Sequence, residues 1–222
     1  MKRIFQLVLI IILIAHHLSF GQTKQTNAAR KGLQSFLKKL PEESTIMYGF
    51  DKHDSLECAY LGKPFNLYTI APSKISHFKT GDSVSSIISK TNLWYFPVML
   101  NHKIKSILVV DKLNNKWLAV SLGYTNLAME IVKIRQQWPE SKGFNLKIIV
   151  VFQANKYLFT IPEIDGYNLT LIDYPNEKER QKLSHKISSN KNDLNNFNYS
   201  TLDEISKIVE ILKPLVEKNI YE

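Results

Sequence analysis

The chain has 222 residues and a formal net charge of +9, with 44% hydrophobic and 22% charged residues. This balance excludes disorder over most of the length, and about 200 residues are enough for one domain with a sizeable core. The single cysteine, Cys58, excludes an internal disulfide.

The first 21 residues have the composition of a secretory signal peptide. Lys2 and Arg3 supply positive charge, residues 4–15 are almost wholly apolar, and small residues follow. The apolar run is shorter than the roughly 20 residues that span a bilayer, so an uncleaved anchor is the less favoured alternative. We expect a signal peptide over 1–21, export to the periplasm or the extracellular space, and a single domain over 22–222.

The positive charge indicates no particular partner. Removal of Lys2 and Arg3 lowers the formal charge from +9 to +7, and this excess is spread along the chain. Such a charge permits attraction to anionic lipid or acidic glycan. The sequence has no nucleic-acid-binding motif, so nucleic acid is not expected as a partner.

Residues 28–40 are predicted to form an amphipathic helix that ends at Pro41. Packing on the domain with the lysines in water is the commoner arrangement for such a helix, and we favour it. Contact with a membrane surface through the 28–40 helix is the less favoured alternative. The apolar face consists of Ala29, Leu33, Phe36, Leu37 and Leu40.

Three strands are predicted next, over residues 45–50, 56–61 and 65–71. Asp51, His53 and Asp54 between the first two offer oxygen and imidazole ligands at close spacing. A solvated turn explains them better than a metal ion, because no distant ligand motif accompanies them. We therefore predict no metal site.

Residues 94–138 are predicted to contain three strands and a helix. Asn101-His102 and Asn114-Asn115 separate the strands, and asparagine tolerates the left-handed conformation that two-residue hairpin turns need. With two residues in each turn, Phe96 lies opposite Ile107 and Val109 lies opposite Val120. This register sorts the side chains onto two faces.

One predicted face is apolar and should belong to the core. Its members are Trp94, Phe96, Val98, Ile107, Val109, Leu118, Val120 and Leu122. The other face is mixed, with Tyr95, Met99, Ser106, Leu108, Val110, Lys112, Trp117, Ala119 and Ser121. From the mixed face we select Tyr95, Met99, Trp117 and Ser121 as candidate binding residues.

Helical spacing follows the third strand, in Leu127, Ile131, Ile134 and Trp138, with Thr125 as a candidate cap. This central helix is expected to pack on the apolar face.

The last third of the chain returns to strands and then to helices. Residues 146–153 are apolar at both parities, which indicates a strand covered on both sides, so part of the mixed face is expected to be buried. Strands are predicted over 157–161 and 169–174, and a charged helix over 176–188. An Asn-rich flexible loop is expected over 189–199. A final apolar helix begins after Thr201, and Pro214 is expected to bend or interrupt it.

The predicted fold is α+β: a single domain whose mostly antiparallel, meander-rich sheet is packed by N-terminal, central and C-terminal helices. No catalytic motif or cofactor fingerprint is present, so we predict no catalytic residues and no cofactor. The favoured function is an exported, non-catalytic binding or accessory protein of the cell envelope, with a protein, glycan or envelope component as partner. The alternative is an exported hydrolase of unrecognised type, in which an acid or Cys58 acts. A third, weaker hypothesis is a structural protein held at the membrane surface.

Overall fold

A computed structural model of the chain describes residues 23–172 and 202–220. The predicted signal peptide, the charged helix over 176–188 and the Asn-rich loop over 189–199 lie outside these residues. Within the described ranges, no helix combines the length and the apolar character that crossing a membrane requires.

Five α-helices and eight β-strands make up the described part of the chain. The helices are α1 Lys24–Lys39, α2 Pro72–Ser76, α3 Val84–Ile87, α4 Thr125–Gln137 and α5 Ile205–Ile220. The strands are β1 Tyr60–Leu61, β2 Phe65–Ile70, β3 Ile88–Leu100, β4 Lys103–Leu113, β5 Lys116–Gly123, β6 Lys147–Val151, β7 Lys156–Thr160 and β8 Thr170–Leu171. Short 3₁₀ helices cover Glu42–Tyr48, Leu56–Cys58 and Glu140–Lys142.

All eight strands belong to one mixed sheet, in the order β5-β4-β3-β2-β6-β7-β8, with β1 paired to β3. Strands β2 to β5 form an antiparallel meander, and β6 to β8 form a second antiparallel unit. The two units meet where β2 pairs with β6 in parallel. The predicted α+β fold, with its mostly antiparallel sheet and its N-terminal, central and C-terminal helices, is confirmed.

The two predicted asparagine turns form as expected. Asn101 and His102 have φ of 49° and 61°, and Asn114 and Asn115 have 48° and 62°. Both central residues are therefore left-handed, which is the type I′ geometry that suits the twist of a hairpin.

The predicted register is correct beside each turn and wrong beyond it. Met99 pairs with Ile104 but Val98 pairs with Ser106, so Lys105 is an additional residue in β4. A second bulge at Val120 places Ser121 opposite Val109. Each bulge moves the following residues by one position, so side chains that strict alternation placed on one face belong to both faces.

The apolar face predicted from that register is therefore divided between two clusters. Ile107 and Val109 pack with α4 on one side of the sheet. Phe96 and Val98 pack with α1 on the other side. Leu118 and Val120 are 47% and 40% exposed and belong to neither cluster. The sheet is covered on both sides, by α4 on one and by α1 and α5 on the other.

The predicted two-sided strand is confirmed in β6. Ile148 and Val150 face the cluster under α4, and Ile149 and Val151 face the cluster under α5. Packing of the N-terminal helix on the sheet is also confirmed, because Ala29 and Leu33 are buried against the β3–β4 side chains.

Several local predictions are wrong for identifiable reasons. Residues 45–50 form no strand: Glu42–Tyr48 is a 3₁₀ helix that begins after Pro41 and is closed by left-handed Gly49. Only Tyr60–Leu61 of the predicted strand 56–61 pairs with the sheet. Thr125 is the first residue of α4 and not its cap, because Tyr124 takes that position at φ 57°. Helix α5 is continuous through Pro214, so the predicted interruption is absent, whereas the predicted bend stays a prediction.

Candidate binding groove

A groove of about 930 Å³ runs between α1 and residues 56–64. Helix α1 forms one wall, the 3₁₀ helix Leu56–Cys58 with strand β1 forms the other, and Phe96 of β3 lies at the bottom. It is larger than a second cavity at the end of helix α4, and most of its inner surface is apolar.

The spacing of residues along α1 gives its wall a polar rim and an apolar base. Arg30, Gln34 and Lys38 recur every four residues, so they form one exposed row along the helix. Leu33 and Leu37 lie one residue before Gln34 and Lys38 and point toward the sheet, where Leu33 is buried. Because the helix rises about 1.5 Å per residue, this wall extends over roughly 15 to 20 Å.

The opposite wall is fixed to the sheet through β1. Tyr60 pairs with Met99 and Leu61 with Val98, and the backbone N–H of Gly62 donates to the carbonyl of Pro97 at 2.7 Å. A Cβ at Gly62 would lie 3.2 Å from both Cγ and Sδ of Met99, so glycine allows this wall to approach β3 closely.

The groove combines an aliphatic base with an excess of positive charge at the rim. Leu33, Leu61 and the fully buried Phe96 contribute to the base. Arg30 and Lys38 stand on the rim with a single carboxylate, Glu57. An apolar chain would be removed from water at the base. The two cations of the rim lie eight residues or about 12 Å apart along α1, so an anionic head group would meet one of them.

Close packing of α1 on β5 holds the helix in position beside the groove. An ideal Cβ at Gly32 would lie 2.0 Å from the Cβ of Ala119, which is far below the contact distance of two nonbonded carbon atoms. Glycine in α1 and alanine in β5 therefore set the distance between the helix and the sheet.

Exchanging these two residues tests that contact. Gly32→Ala alone should lower the free energy of unfolding by about 1 to 3 kcal/mol, because the added methyl group overpacks the interface. In the double variant Gly32→Ala/Ala119→Gly the methyl group moves from the strand to the helix, so most of that loss should be absent. A double-mutant cycle in urea measures the coupling, expected to be about 1 kcal/mol or more. Additive effects would show that the helix does not depend on this contact.

The structure separates the four residues that were selected as a binding set. Tyr95 is 2% exposed and packs in the cluster under α4. It pairs with Val109 of β4, and Val109 pairs on its other side with Ser121. Met99 is half-buried behind Gly62 of the groove wall. Trp117 is half-buried on the opposite side of the sheet, against the cluster under α1. The expectation that part of the mixed face is buried is confirmed by Tyr95, whereas a binding role for these four residues stays a prediction.

Tyr95 has a structural partner in the core. Its hydroxyl lies 2.8 Å from the hydroxyl of Tyr157. Burial raises the pKa of Tyr157 to about 12, although the hydrogen bond from Tyr95 acts in the opposite direction. The Tyr157 hydroxyl therefore stays protonated near neutral pH, and the pair joins the two units of the sheet through a hydrogen bond.

The acidic turn after Gly49 holds a lysine. Nζ of Lys105 lies 2.8 Å from Asp51 and 3.0 Å from Asp54. The backbone N–H of Asp51 donates to Asp54 at 2.8 Å and, as the largest contribution, lowers the pKa of that carboxyl group. Over residues 23–172 and 202–220, no three side chains of the His, Cys, Asp and Glu types are grouped so that they would hold a metal ion.

Cys58 is exposed, and its thiol lies 3.7 Å from Oγ of Ser55, to which it donates. Within the described ranges no hydrogen bond joins Cys58 to a histidine, and its side chain is not part of the groove lining. The structure therefore supplies no activated thiol at the groove.

The sequence predictions describe one wall of the groove correctly and the other incorrectly. A helix with Arg30 and Lys38 on its solvated face is predicted for the first wall, whereas the strand predicted over 56–61 is a 3₁₀ helix followed by a two-residue strand. One feature of the sequence could have indicated this wall. Residues 56–64 combine charged residues with more apolar side chains than a short edge strand has to bury.

Neither a protein family nor a curated protein nor a solved structure was found to match the chain.

Proposed function

We propose that this protein is an exported, non-catalytic binding protein of the cell envelope, and that its ligand lies in the groove between α1 and residues 56–64. The groove itself is the observation that carries the proposal. Its volume of about 930 Å³ falls in the range of small-molecule sites, which are apolar clefts with a few polar groups that fix orientation.

The chemistry of the lining selects among the possible partners. A glycan needs hydrogen-bonding groups along its length, and the base of this groove offers leucine and phenylalanine side chains. An amphiphilic envelope component, with an apolar chain and an anionic head, satisfies both the aliphatic base and the cations at the rim. Arg30 or Lys38 then binds the head group, and Leu33, Leu37 and Leu61 cover the chain.

A binding role agrees better with the groove than the hydrolase alternative does. Hydrolysis requires a nucleophile or an activated water with a base in contact with it. The titratable side chains of the lining are Arg30, Lys38, Glu57 and Tyr60. Tyr60 reaches Nδ1 of the exposed His102 at 3.3 Å, which fixes the tyrosine at the turn of the β3–β4 hairpin and away from the base of the groove.

Titration of the mature protein with dodecanoate, followed by calorimetry, tests the proposal. Arg30→Gln/Lys38→Gln should weaken binding by up to about fivefold, because it removes the exposed ion pair with the head group at either position, which contributes up to about 1 kcal/mol. Lys31→Gln/Lys39→Gln removes the same charge from the same helix but from residues outside the lining, and it should change the affinity by less than about twofold. Leu37→Asn should weaken the binding of dodecanoate and of the uncharged dodecanol to the same extent, because Leu37 covers the apolar chain that both ligands share.

Two results would contradict the groove as the binding site. One is an equal loss of affinity in both charge variants, which would indicate attraction to the whole basic helix. The other is the absence of dodecanoate binding to a folded protein, in which case a screen of envelope glycans and of substrates for hydrolysis becomes the next experiment.

A further inference from the structure

A second, smaller cavity lies at the far end of α4. It has a volume of about 120 Å³ and is formed by the start of β2, the last turn of α4 and the segment before β6. Its lining includes Lys63, Phe65, Arg135, Trp138, Glu140 and Phe144. Aromatic rings and one guanidinium group therefore surround a small space, which is a different arrangement from the aliphatic groove.

The guanidinium group of Arg135 is held without a hydrogen-bonding partner from the described residues. Its Cζ lies 5.2 Å from the centre of the Phe65 ring, so the cation rests on an aromatic face. Burial lowers the pKa of Arg135, and the charge of Glu140 offsets part of this effect. Arg135 lies in the last turn of α4, where the helix dipole favours a cation, and it is also part of the cavity lining.

The carboxylate of the cavity lining is already paired with another cation. Glu140 forms an ion pair with Lys63, and both side chains are mostly exposed at the mouth of the cavity. The hydrogen bond and the charge of Lys63 lower the pKa of Glu140. The three charges leave one net positive charge at the cavity, and Arg135 keeps its planar set of donors, which matches a carboxylate in bidentate geometry.

The aromatic walls are supported from behind. Phe65 packs edge-on against Tyr95 with 5.8 Å between ring centres. Trp138 packs on Phe159 at 5.7 Å, and Phe159 is fully buried. Rings fixed in this way lose little conformational freedom when a ligand enters, so the site is preorganised.

We propose that this cavity binds a carboxylate that carries one small apolar group, with the carboxylate on Arg135 and the apolar group between Phe65, Trp138 and Phe144. A cavity of about 150 Å³ holds a benzene ring. The cavity at Arg135 is somewhat smaller, so the apolar group of the ligand is at most one ring or a short aliphatic chain. The ligand is either a free small acid or the carboxyl terminus of a peptide, because both present the same chemistry. This site is separate from the amphiphile groove, and its test does not depend on that groove.

Benzoate is the probe, with benzamide as its uncharged counterpart of the same shape. We expect the mature protein to bind benzoate with a Kd of about 1 mM and benzamide at least about tenfold more weakly, since a charge-assisted pair to arginine is lost. Binding is followed by calorimetry and by tryptophan fluorescence. The fluorescence change should disappear in Trp138→Phe while the calorimetric signal persists.

Substitution of the arginine provides the second arm. Arg135→Gln should weaken the binding of benzoate by about tenfold or more and leave the affinity for benzamide nearly unchanged. Lys31→Gln, which removes one charge from α1, should bind benzoate like the parent. If Arg135→Gln fails to fold, the comparison of benzoate with benzamide on the parent protein still tests whether the carboxylate is recognised.

Acetyl-glycyl-phenylalanine with a free or an amidated carboxyl group distinguishes the two sources of the ligand. Tighter binding of the free peptide acid than of benzoate would assign the site to a chain terminus, and weaker binding would assign it to a free acid. Equal affinity for benzoate and benzamide, equal benzoate binding by folded Arg135→Gln and parent, or no benzoate binding at about tenfold above the expected Kd would each overturn the proposal.

Discussion

Replacing Gly49 by alanine is expected to lower the free energy of unfolding by about 3 to 5 kcal/mol, because two separate costs fall on one residue. Gly49 has φ +84°, a conformation that residues with a Cβ rarely adopt. In addition, a Cβ at this position would lie 2.1 Å from the carbonyl oxygen of Lys105, so the backbone of β4 would have to move. Phe50, the next residue, is fully buried and limits such a movement.

Gly81→Ala separates the two costs. Gly81 has φ +98°, but nothing lies within 4 Å of a Cβ built there. This control should lose only the conformational part, about 1 to 2 kcal/mol. Urea unfolding of both variants measures the difference, and equal losses would show that the contact with Lys105 is relieved without cost.

Truncation of Asn168 to alanine is expected to lower the free energy of unfolding by about 3 kcal/mol, because it leaves buried backbone groups without partners. Oδ1 of Asn168 accepts from the N–H of Ile161 at 2.8 Å and from the hydroxyl of Thr160 at 3.0 Å. Its amide nitrogen donates to the carbonyl of Ile161 at 2.9 Å and to that of Asp165 at 2.6 Å. This side chain therefore replaces strand pairing where β7 ends.

Asn66→Ala is the matched control for Asn168→Ala. The amide nitrogen of Asn66 also bridges two carbonyl groups, those of Thr91 and Leu93, at 3.0 and 2.8 Å. It is only half-buried, so water can replace it, and a loss of about 1 kcal/mol is expected. A loss at Asn168 no larger than that at Asn66 would show that the buried amide groups of the β7 end find other partners.

Local chemistry made part of the fold predictable. The asparagine turns at 101–102 and 114–115 depend on the conformational preference of their own residues, so the sequence contains all the information needed. The strand β6 was recognised because coverage on both sides makes its residues apolar at both parities. The three main helices followed from apolar residues at helical spacing.

The bulges at Lys105 and Val120 could not be predicted in this way. An additional residue breaks the alternation inside its own strand, so Ile104 and Ile107 lie on one side of the sheet, as do Ala119 and Leu122. A register built on strict alternation does not anticipate such a break. One such residue was enough to place Phe96 and Ile107 on opposite sides of the sheet. Tyr95 and Trp117 were separated by the same effect.

The two candidate sites were inaccessible for a further reason. The cavity near Arg135 combines residues 63–65 with residues 135–146, which are distant in the chain and approach only because β2 lies in the middle of the sheet. Arg135 in the sequence is an ordinary basic residue at a helix end. Its unusual feature is the ring beneath it, which depends on the completed fold.

The parallel contact between β2 and β6 has a consequence for how the chain assembles. The β3–β4, β4–β5 and β6–β7 hairpins close over turns of two to four residues, whereas the bond from the Thr69 hydroxyl to the Val150 carbonyl joins positions 81 residues apart. Closing a flexible loop of that length costs about 4 kcal/mol of chain entropy, and few backbone pairs form at the junction to offset it. The two antiparallel units must therefore meet before the core under α4 becomes continuous. We expect this encounter to limit the rate of refolding, which stopped-flow refolding would check.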